Sequence, residues 1–136
     1  MNEQKPWIEL ESIGLALDGR AIIKNVSLQV FPGEVLALVG PNGAGKSSIL
    51  SVMAGDVRAT SGTATLGGKH VGKYRPDEAA RVRSVLMQSN QVSFPFTVQE
   101  IVEMGRAPWA RTPELADDDA VIQDALRLAD VEHLVE

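Results

Sequence analysis

The chain has 136 residues, of which 44% are hydrophobic and 23% charged, a composition typical of a globular chain long enough for one domain. It contains no cysteine, which excludes disulfides, thiol nucleophiles and thiolate metal sites. The net charge of -5, with 13 lysines and arginines scattered along the chain, argues against nucleic acid as a partner. Apolar runs are shorter than the roughly 20 residues that span a bilayer, and the start lacks a signal-peptide stretch, so we expect a cytoplasmic protein.

The first third of the chain has the pattern of an antiparallel sheet followed by a buried strand. Apolar and polar residues alternate at 8–10 and again at 26–30, which predicts half-buried strands. Asp-Gly at 18–19 and Pro-Gly at 32–33 are typical turn pairs. The continuous apolar run Val-Leu-Ala-Leu-Val at 35–39 instead predicts a strand that is buried on both faces of a parallel sheet.

Helices and short strands are predicted for the rest. Residues 47–54 have helical spacing with Gly55 as a stop, a hairpin strand covers 63–66, helical turns cover 77–83, and a second buried strand covers 84–87.

Two further helices follow. Thr97 and Glu100 have capping-box spacing, and Gly105 can end that helix. Aspartates at 117–119 suit the positive end of a helix dipole. The last helix has one apolar face, made of Val121, Ile122, Ala125, Leu126 and Ala129. Residues 108–113 look like a linker.

A phosphate-binding loop carries the functional signal. Its residues match the pattern G-x-x-x-x-G-K-[ST]: Gly40, Pro41, Asn42, Gly43, Ala44, Gly45, Lys46 and Ser47. Glycines permit the backbone N–H groups to converge on a polyphosphate, and the helix that starts at the loop adds its dipole. Lys46 brings a charge to the β- and γ-phosphates, and the Ser47 hydroxyl is a ligand for Mg²⁺. The alternative is a glycine-rich turn with an exposed lysine, but a chance match in this context is improbable. We therefore predict binding of Mg-ATP.

The chain resembles the nucleotide-binding subunits of ABC transporters. The resemblance rests on residues 26–28, 32–34, the 40–47 loop, Ser61-Gly62 and Gln88, in family order. It implies an α/β P-loop NTPase core with an antiparallel β subdomain and the start of a helical subdomain, truncated. The implied domains are 1–91, the nucleotide-binding core, and 92–136, the incomplete helical subdomain.

The same resemblance assigns roles outside the loop. Gln88 matches the glutamine that reaches Mg²⁺ and the attacking water, although taken alone it would be a solvated loop residue. Leu17 stands where family members often stack an aromatic residue on the adenine, and an aliphatic contact can still bury the base. Ser48, directly after the loop, belongs to the nucleotide-binding segment.

One stretch resembles the heme (hemin) importer ATPases in particular. It comprises residues 87–88 and 94–108, and its Phe-Pro-Phe element at 94–96 favours heme. Ferric-siderophore and vitamin B12 importers share its Thr-Val and Gly-Arg parts and stay open as alternatives. Taken alone, either phenylalanine is better explained as a core aromatic residue.

Several family elements are absent from these residues: the L-S-G-G-Q signature, the Mg²⁺-ordering Asp, the catalytic Glu and the switch His. No other residue is expected to replace them. Asp130 is interpreted as a helix-end residue, and His133 and His70 are interpreted as solvated side chains. We expect a fragment or truncated product of an importer ATPase that pairs as a homodimer and binds a membrane permease at the inner face of the membrane. The rivals are a nucleotide-binding module without hydrolysis and a small-molecule kinase; no arginine-rich lid supports the kinase.

Overall fold

The computed structural model describes residues 4–89 and 93–135. Two compact units divide the chain, Met1–Arg75 and Pro76–Glu136. The predicted domain boundary at 91/92 lies outside the described residues and stays a prediction. Each unit is described by itself below.

The first unit is built on a four-stranded antiparallel sheet with strand order β2-β1-β3-β4. The strands are β1 (Ile8–Leu17), β2 (Arg20–Val30), β3 (Ser61–Leu66) and β4 (Lys69–His70). Asp18 and Gly19, with φ of 49° and 75°, form the two-residue turn between β1 and β2. Positive φ at both turn residues matches the strand twist of a tight hairpin, so the predicted antiparallel sheet is confirmed.

An irregularity in β1 keeps its apolar side chains on one face. The register with β2 shifts between Leu10 and Ile13, where Ser12 has a φ of 50°. The Ser12 N–H donates to Ser27 Oγ at 2.8 Å, so the interrupted ladder leaves this donor satisfied. Helix α1 (Lys46–Ala54) packs on the same face. The core of the unit consists of Leu10, Ile13, Leu15, Ile23, Val52 and Ala64.

The β3–β4 hairpin is also confirmed. Gly67 and Gly68 form its turn with φ of 57° and 78°, values that suit glycine. A short 3₁₀ helix, Val71–Lys73, follows β4.

Two predicted strands are absent from the described residues. Segments 35–39 and 84–87 have no sheet partner there, and Val35, Val39 and Leu86 are 94%, 91% and 89% exposed. The strand predictions are therefore wrong for this structure. An apolar run forms a strand only where neighbouring strands satisfy its backbone groups, and neither segment has such neighbours.

The second unit is helical, with α2 (Pro76–Val82), α3 (Val98–Met104) and α4 (Asp118–Leu128). The predicted capping box is confirmed. The Glu100 N–H donates to Thr97 Oγ1 at 3.2 Å, and the Thr97 N–H donates to Glu100 Oε2 at 2.7 Å. Gly105 ends α3 as predicted.

Helix α4 starts at the predicted aspartates and buries Ile122 and Leu126, whereas Val121 and Ala129 are exposed. The predicted apolar face is thus wider than the buried one. Asp130 follows the helix end with a φ of 55°, as a helix-end residue should, and His133 is exposed.

The linker prediction for 108–113 is wrong. Two 3₁₀ helices, Ala107–Trp109 and Pro113–Asp117, overlap the two ends of this segment, and another follows at Glu132–Leu134. The Arg106 guanidinium orders the region. It stacks on the Trp109 ring at 4.5 Å, and its Nε donates to Asp118 Oδ1 at 2.6 Å.

Candidate functional site

The phosphate-binding loop, residues 40–47, follows the segment 35–39 and leads into α1. Gly45 is the N-cap, with φ 94° and ψ 9°, and no side chain caps the helix. The Ile49 N–H makes the helical bond to the Gly45 carbonyl at 2.9 Å. Because the first N–H groups of a helix have no partners within it, the start of α1 offers free donors for an anion.

The loop glycines allow this shape. Gly43 has a φ of 84°, and a Cβ there would meet no atom within 4 Å, so its requirement is conformational. Gly45 differs from Gly43 because its surroundings are crowded as well. A Cβ at Gly45 would lie 3.3 Å from the Ile22 carbonyl oxygen and 3.7 Å from Ile23 Cγ1. Strand β2 therefore supports the loop from behind. The Ala44 N–H closes the loop on the Pro41 carbonyl at 3.2 Å.

The Lys46 side chain folds back across this loop. Its Nζ donates to the carbonyl oxygens of Gly40 and, at 2.8 Å, Pro41. The ammonium is thus held at the loop rather than extended into solvent. A phosphate oxygen entering the loop can replace these carbonyl acceptors and gain a charge-assisted hydrogen bond.

Ser47 is exposed in the first turn of α1, and its backbone carbonyl accepts a hydrogen bond from Ser51 Oγ at 3.0 Å. The described residues hold no group of three or more His, Asp or Glu side chains that could bind a metal ion by themselves. One hydroxyl oxygen, that of Ser47, is not enough to coordinate Mg²⁺. The ion fits here only when nucleotide phosphate oxygens complete its coordination shell.

A cavity of about 340 Å³ opens at the loop. It is lined by Ile22, Asn42, Gly43, Gly45, Lys46, Ser47 and Ser48. Ile22 was missed by sequence reasoning; it lies far upstream of the motif, and only the pairing of β2 brings it there. All but Ile22 belong to the predicted nucleotide-binding set.

The two predicted residues outside the loop are placed less specifically. Leu17 ends β1 opposite Arg20 and is 51% exposed, a solvent-accessible apolar side chain beside the hairpin turn. Gln88 is exposed at a bend in the second unit. The nucleotide contacts of both residues stay predictions. His70 is exposed, as expected, and its Nδ1 accepts a hydrogen bond from the Gly72 N–H at 3.0 Å.

A sequence model of the family described as ABC transporter matches residues 23–136. The chain belongs to this family. The match includes the whole phosphate-binding loop, α1 and the helices of the second unit, so it accounts for the G-x-x-x-x-G-K-[ST] pattern and for its setting before a helix.

Curated relatives of this ABC transporter chain include proteins named hemin import ATP-binding protein HmuV. The one from Rhodococcus jostii is 44% identical over 124 residues, which cover 91% of this chain and 42% of the relative. The one from Gloeobacter violaceus is 43% identical over 129 residues, covering 95% of this chain and 47% of the relative. The chain therefore spans less than half the length of these relatives.

Solved structures show the same fold. cbiO1 from Clostridium perfringens, part of the ABC transporter complex cbiONQ, is 25% identical with a TM-score of 0.79, over 97% of this chain and 53% of that one. An ATP-binding subunit of another ABC transporter aligns with a TM-score of 0.74 at 19% identity, over 95% and 52%. The α/β ABC-type fold class is thereby confirmed. None of the helices in the described ranges is long and apolar enough to cross a membrane.

Proposed function

We propose that this chain is the ATP-binding part of an ABC importer ATPase whose cargo is hemin. The observation that carries ATP binding is the loop itself. Two positive-φ glycines shape it, an uncapped helix N-terminus faces it, and the Lys46 ammonium is held across it. These are the elements that a polyphosphate requires.

Titration with a fluorescent ATP analogue tests this proposal. Lys46→Ala removes the charge that meets the β- and γ-phosphates and should weaken binding on the order of ten- to a hundredfold, since a hydrogen bond to a charged group contributes about 1.5–3 kcal/mol. Lys24→Ala is the matched control because Lys24 is an exposed lysine in β2. Equal affinity for the ATP analogue in the Lys46 variant and the unchanged chain would contradict the assignment of ATP binding to this loop.

Mg²⁺ would be held by the Ser47 hydroxyl together with the nucleotide, and the proposed role of Gln88 at this ion rests on the family resemblance. The chemistry of the ion there would be to neutralise charge on the phosphates. Ser51 supports this arrangement by bonding the Ser47 carbonyl at 3.0 Å. Omitting Mg²⁺ from the titration should weaken ATP binding in the unchanged chain.

Hydrolysis needs more than these 136 residues contain. No L-S-G-G-Q occurs in the sequence, so a homodimer of this chain cannot supply that element across its interface. Orienting water and neutralising the developing charge each contribute orders of magnitude to phosphoryl transfer. We expect residues 1–136 to bind ATP without appreciable turnover, and a form extended to the length of the relatives to hydrolyse it. Phosphate release above that of Lys46→Ala would mean that this chain has its own replacement groups.

Hemin is proposed as cargo because the relatives that carry this name match 72–95% of the chain at 40–50% identity. The partner would be an integral membrane permease, with the ATPase bound at the inner face of the membrane. A cell lacking the gene should lose growth on hemin as sole iron source and keep uptake of ferric siderophores and vitamin B12. Loss of either other uptake with hemin use intact would reassign the cargo.

A further inference from the structure

A second cavity lies in the first unit, at the opposite end of α1 from the phosphate-binding loop. It has a volume of about 580 Å³ and shares no lining residue with the loop cavity. That volume is within the range of about 300–1,000 Å³ typical of small-molecule sites. Its walls come from the end of α1, from the segment that follows this helix, from β3 and from the 3₁₀ helix after β4.

The inner wall is apolar and firm. Val52 and Ala64 are buried members of the core, and Val57 and Val71 pack against that core. Because these side chains are fixed by the sheet and α1, the cavity floor is preformed. An apolar ligand body placed against it would gain about 25 cal/mol for each Å² removed from water.

The rim carries positive charge and no acidic side chain. Arg58 and Lys73 both line the cavity, whereas no aspartate or glutamate does. Neither cation makes an ion pair or hydrogen bond with the part of the chain described here, residues 4–89 and 93–135. Asp56, near Arg58 in sequence, is not among the lining residues. Two cations that face one concave surface without compensation favour an anion.

Two polar side chains at the cavity have a donor to spare. Thr60 Oγ1 accepts the Ala16 N–H at 2.8 Å, which leaves its hydroxyl hydrogen for another acceptor. His70 accepts at Nδ1, so its Nε2 carries the proton of the neutral ring. The Thr60 hydroxyl and His70 Nε2 can therefore donate hydrogen bonds to a ligand that carries acceptor oxygens.

The end of α1 does not oppose an anion strongly. Carbonyls at a helix C-terminus carry partial negative charge. Here the Ser51 carbonyl accepts from the N–H groups of Asp56 and Val57 at 2.9 and 3.2 Å, and the Val52 carbonyl accepts from Gly55 at 3.1 Å. With these carbonyls satisfied, the charges of Arg58 and Lys73 dominate the rim.

We propose that this cavity binds a small organic anion, an apolar body bearing one phosphate or carboxylate group, independently of the nucleotide. The apolar body would lie on Val52 and Ala64. The anionic group would lie between Arg58 and Lys73.

Phenyl phosphate is the probe, titrated into the ¹⁵N-labelled 136-residue chain, kept dilute enough to be monomeric, while backbone amide resonances are followed. Saturable shifts are expected at Gly55, Gly62 and Gly72, which line the cavity. Gly43 and Gly45 report on the phosphate-binding loop, and their response should vanish in Lys46→Ala while the cavity response persists. Shifts confined to the loop glycines would overturn the proposal.

Charge variants test the anion requirement. Arg58→Gln and Lys73→Gln should each weaken phenyl phosphate binding several-fold, and the double variant at least tenfold, whereas Lys24→Gln should leave it unchanged. All three positions are exposed, so their side chains contribute little to folding, and dispersed amide spectra check this directly. Benzyl alcohol, which lacks the charge, should bind more weakly. Unchanged affinity in the double variant, or equal affinity for benzyl alcohol, would overturn the anion assignment.

Discussion

Gly62 and Gly68 have nearly the same backbone conformation but very different surroundings. Their φ angles are 81° and 78°, so a side chain would be strained at either position. At Gly68 a Cβ would meet nothing within 4 Å. At Gly62 it would overlap the carbonyl oxygens of Glu11 and Ser12, which are backbone atoms of the neighbouring strand and cannot rotate away. Close strand approach, rather than conformation alone, therefore requires glycine at position 62.

Gly62→Ala should accordingly destabilise the first unit much more than Gly68→Ala. The strain of positive φ costs about 1–2 kcal/mol in both variants, and overpacking at Gly62 adds about 1–3 kcal/mol. Urea unfolding followed at the amide resonances of β1 measures the difference. Similar midpoints for the two variants would show that β1 and β3 can separate at little cost.

At the candidate site, sequence reasoning reached the local features and missed the contacts from distant residues. The motif gives Lys46 and the glycines because their spacing is itself the signal. The Ile22 carbonyl behind Gly45 depends on how β2 lies against the loop, and a motif does not encode that. The carbonyl groups that accept hydrogen bonds from Lys46 also depend on how the loop closes, and the motif does not specify this either.

Arg106 connects three segments of the second unit. Its Nε bonds Asp118 at the start of α4, its Nη2 donates to the Glu114 carbonyl at 3.0 Å, and its guanidinium plane stacks on Trp109. The ion pair is largely shielded, with the two side chains 12% and 23% exposed. A hydrogen bond from the Thr112 side chain lowers the pKa of the neighbouring Glu114 carboxyl; a backbone hydrogen bond of Glu114 and, to a lesser extent, the charges of Arg81 and Arg106 act in the same direction.

Arg106→Lys should destabilise the second unit even though the charge is kept. Lysine cannot form the planar fork that reaches Asp118 and Glu114 together, nor stack on Trp109 in the same way. We expect a loss of about 1.5–3 kcal/mol, the range for a hydrogen bond to a charged group. Arg127→Lys is the matched control, because the Arg127–Asp124 pair at 2.9 Å is mostly exposed and exposed pairs contribute only about 0–1 kcal/mol. Thermal unfolding of the two variants is the measurement, and equal shifts in melting temperature would contradict this stabilising role of Arg106.

Elements with local signals were predicted correctly, including the hairpins whose turns fix the strand pairing, whereas two strands that lack such a signal were not. The Thr97–Glu100 capping box and the turn at 18–19 are set by a few adjacent residues. The strands predicted at 35–39 and 84–87 needed hydrogen-bonding neighbours, which an apolar run does not specify. The 3₁₀ helices around Arg106 were missed because Pro and polar residues also suit a linker.

The molecule exposes apolar side chains that a stable monomer would bury. In the first unit, Val35 and Val39 lie in a segment with no regular structure. The outer strands of the sheet, β2 and β4, each have one edge without a neighbour among the described strands. Exposed apolar residues and free strand edges favour association with other chains.

We therefore expect the 136-residue chain to be poorly stable and to self-associate, and Val35→Thr with Val39→Thr to reduce that association. Threonine keeps the β-branched shape of valine and replaces a methyl by a hydroxyl, so solubility changes without a change in charge. Sedimentation velocity across a concentration series measures the monomer fraction, which should rise in the double variant. Leu17→Thr is the control: this side chain is exposed at a strand end, away from segment 35–39 in sequence, and its replacement should have a smaller effect. A soluble monomer with a cooperative thermal transition like that of a typical full domain would contradict the expectation, because it would mean that the exposed valines are covered in solution by the chain itself.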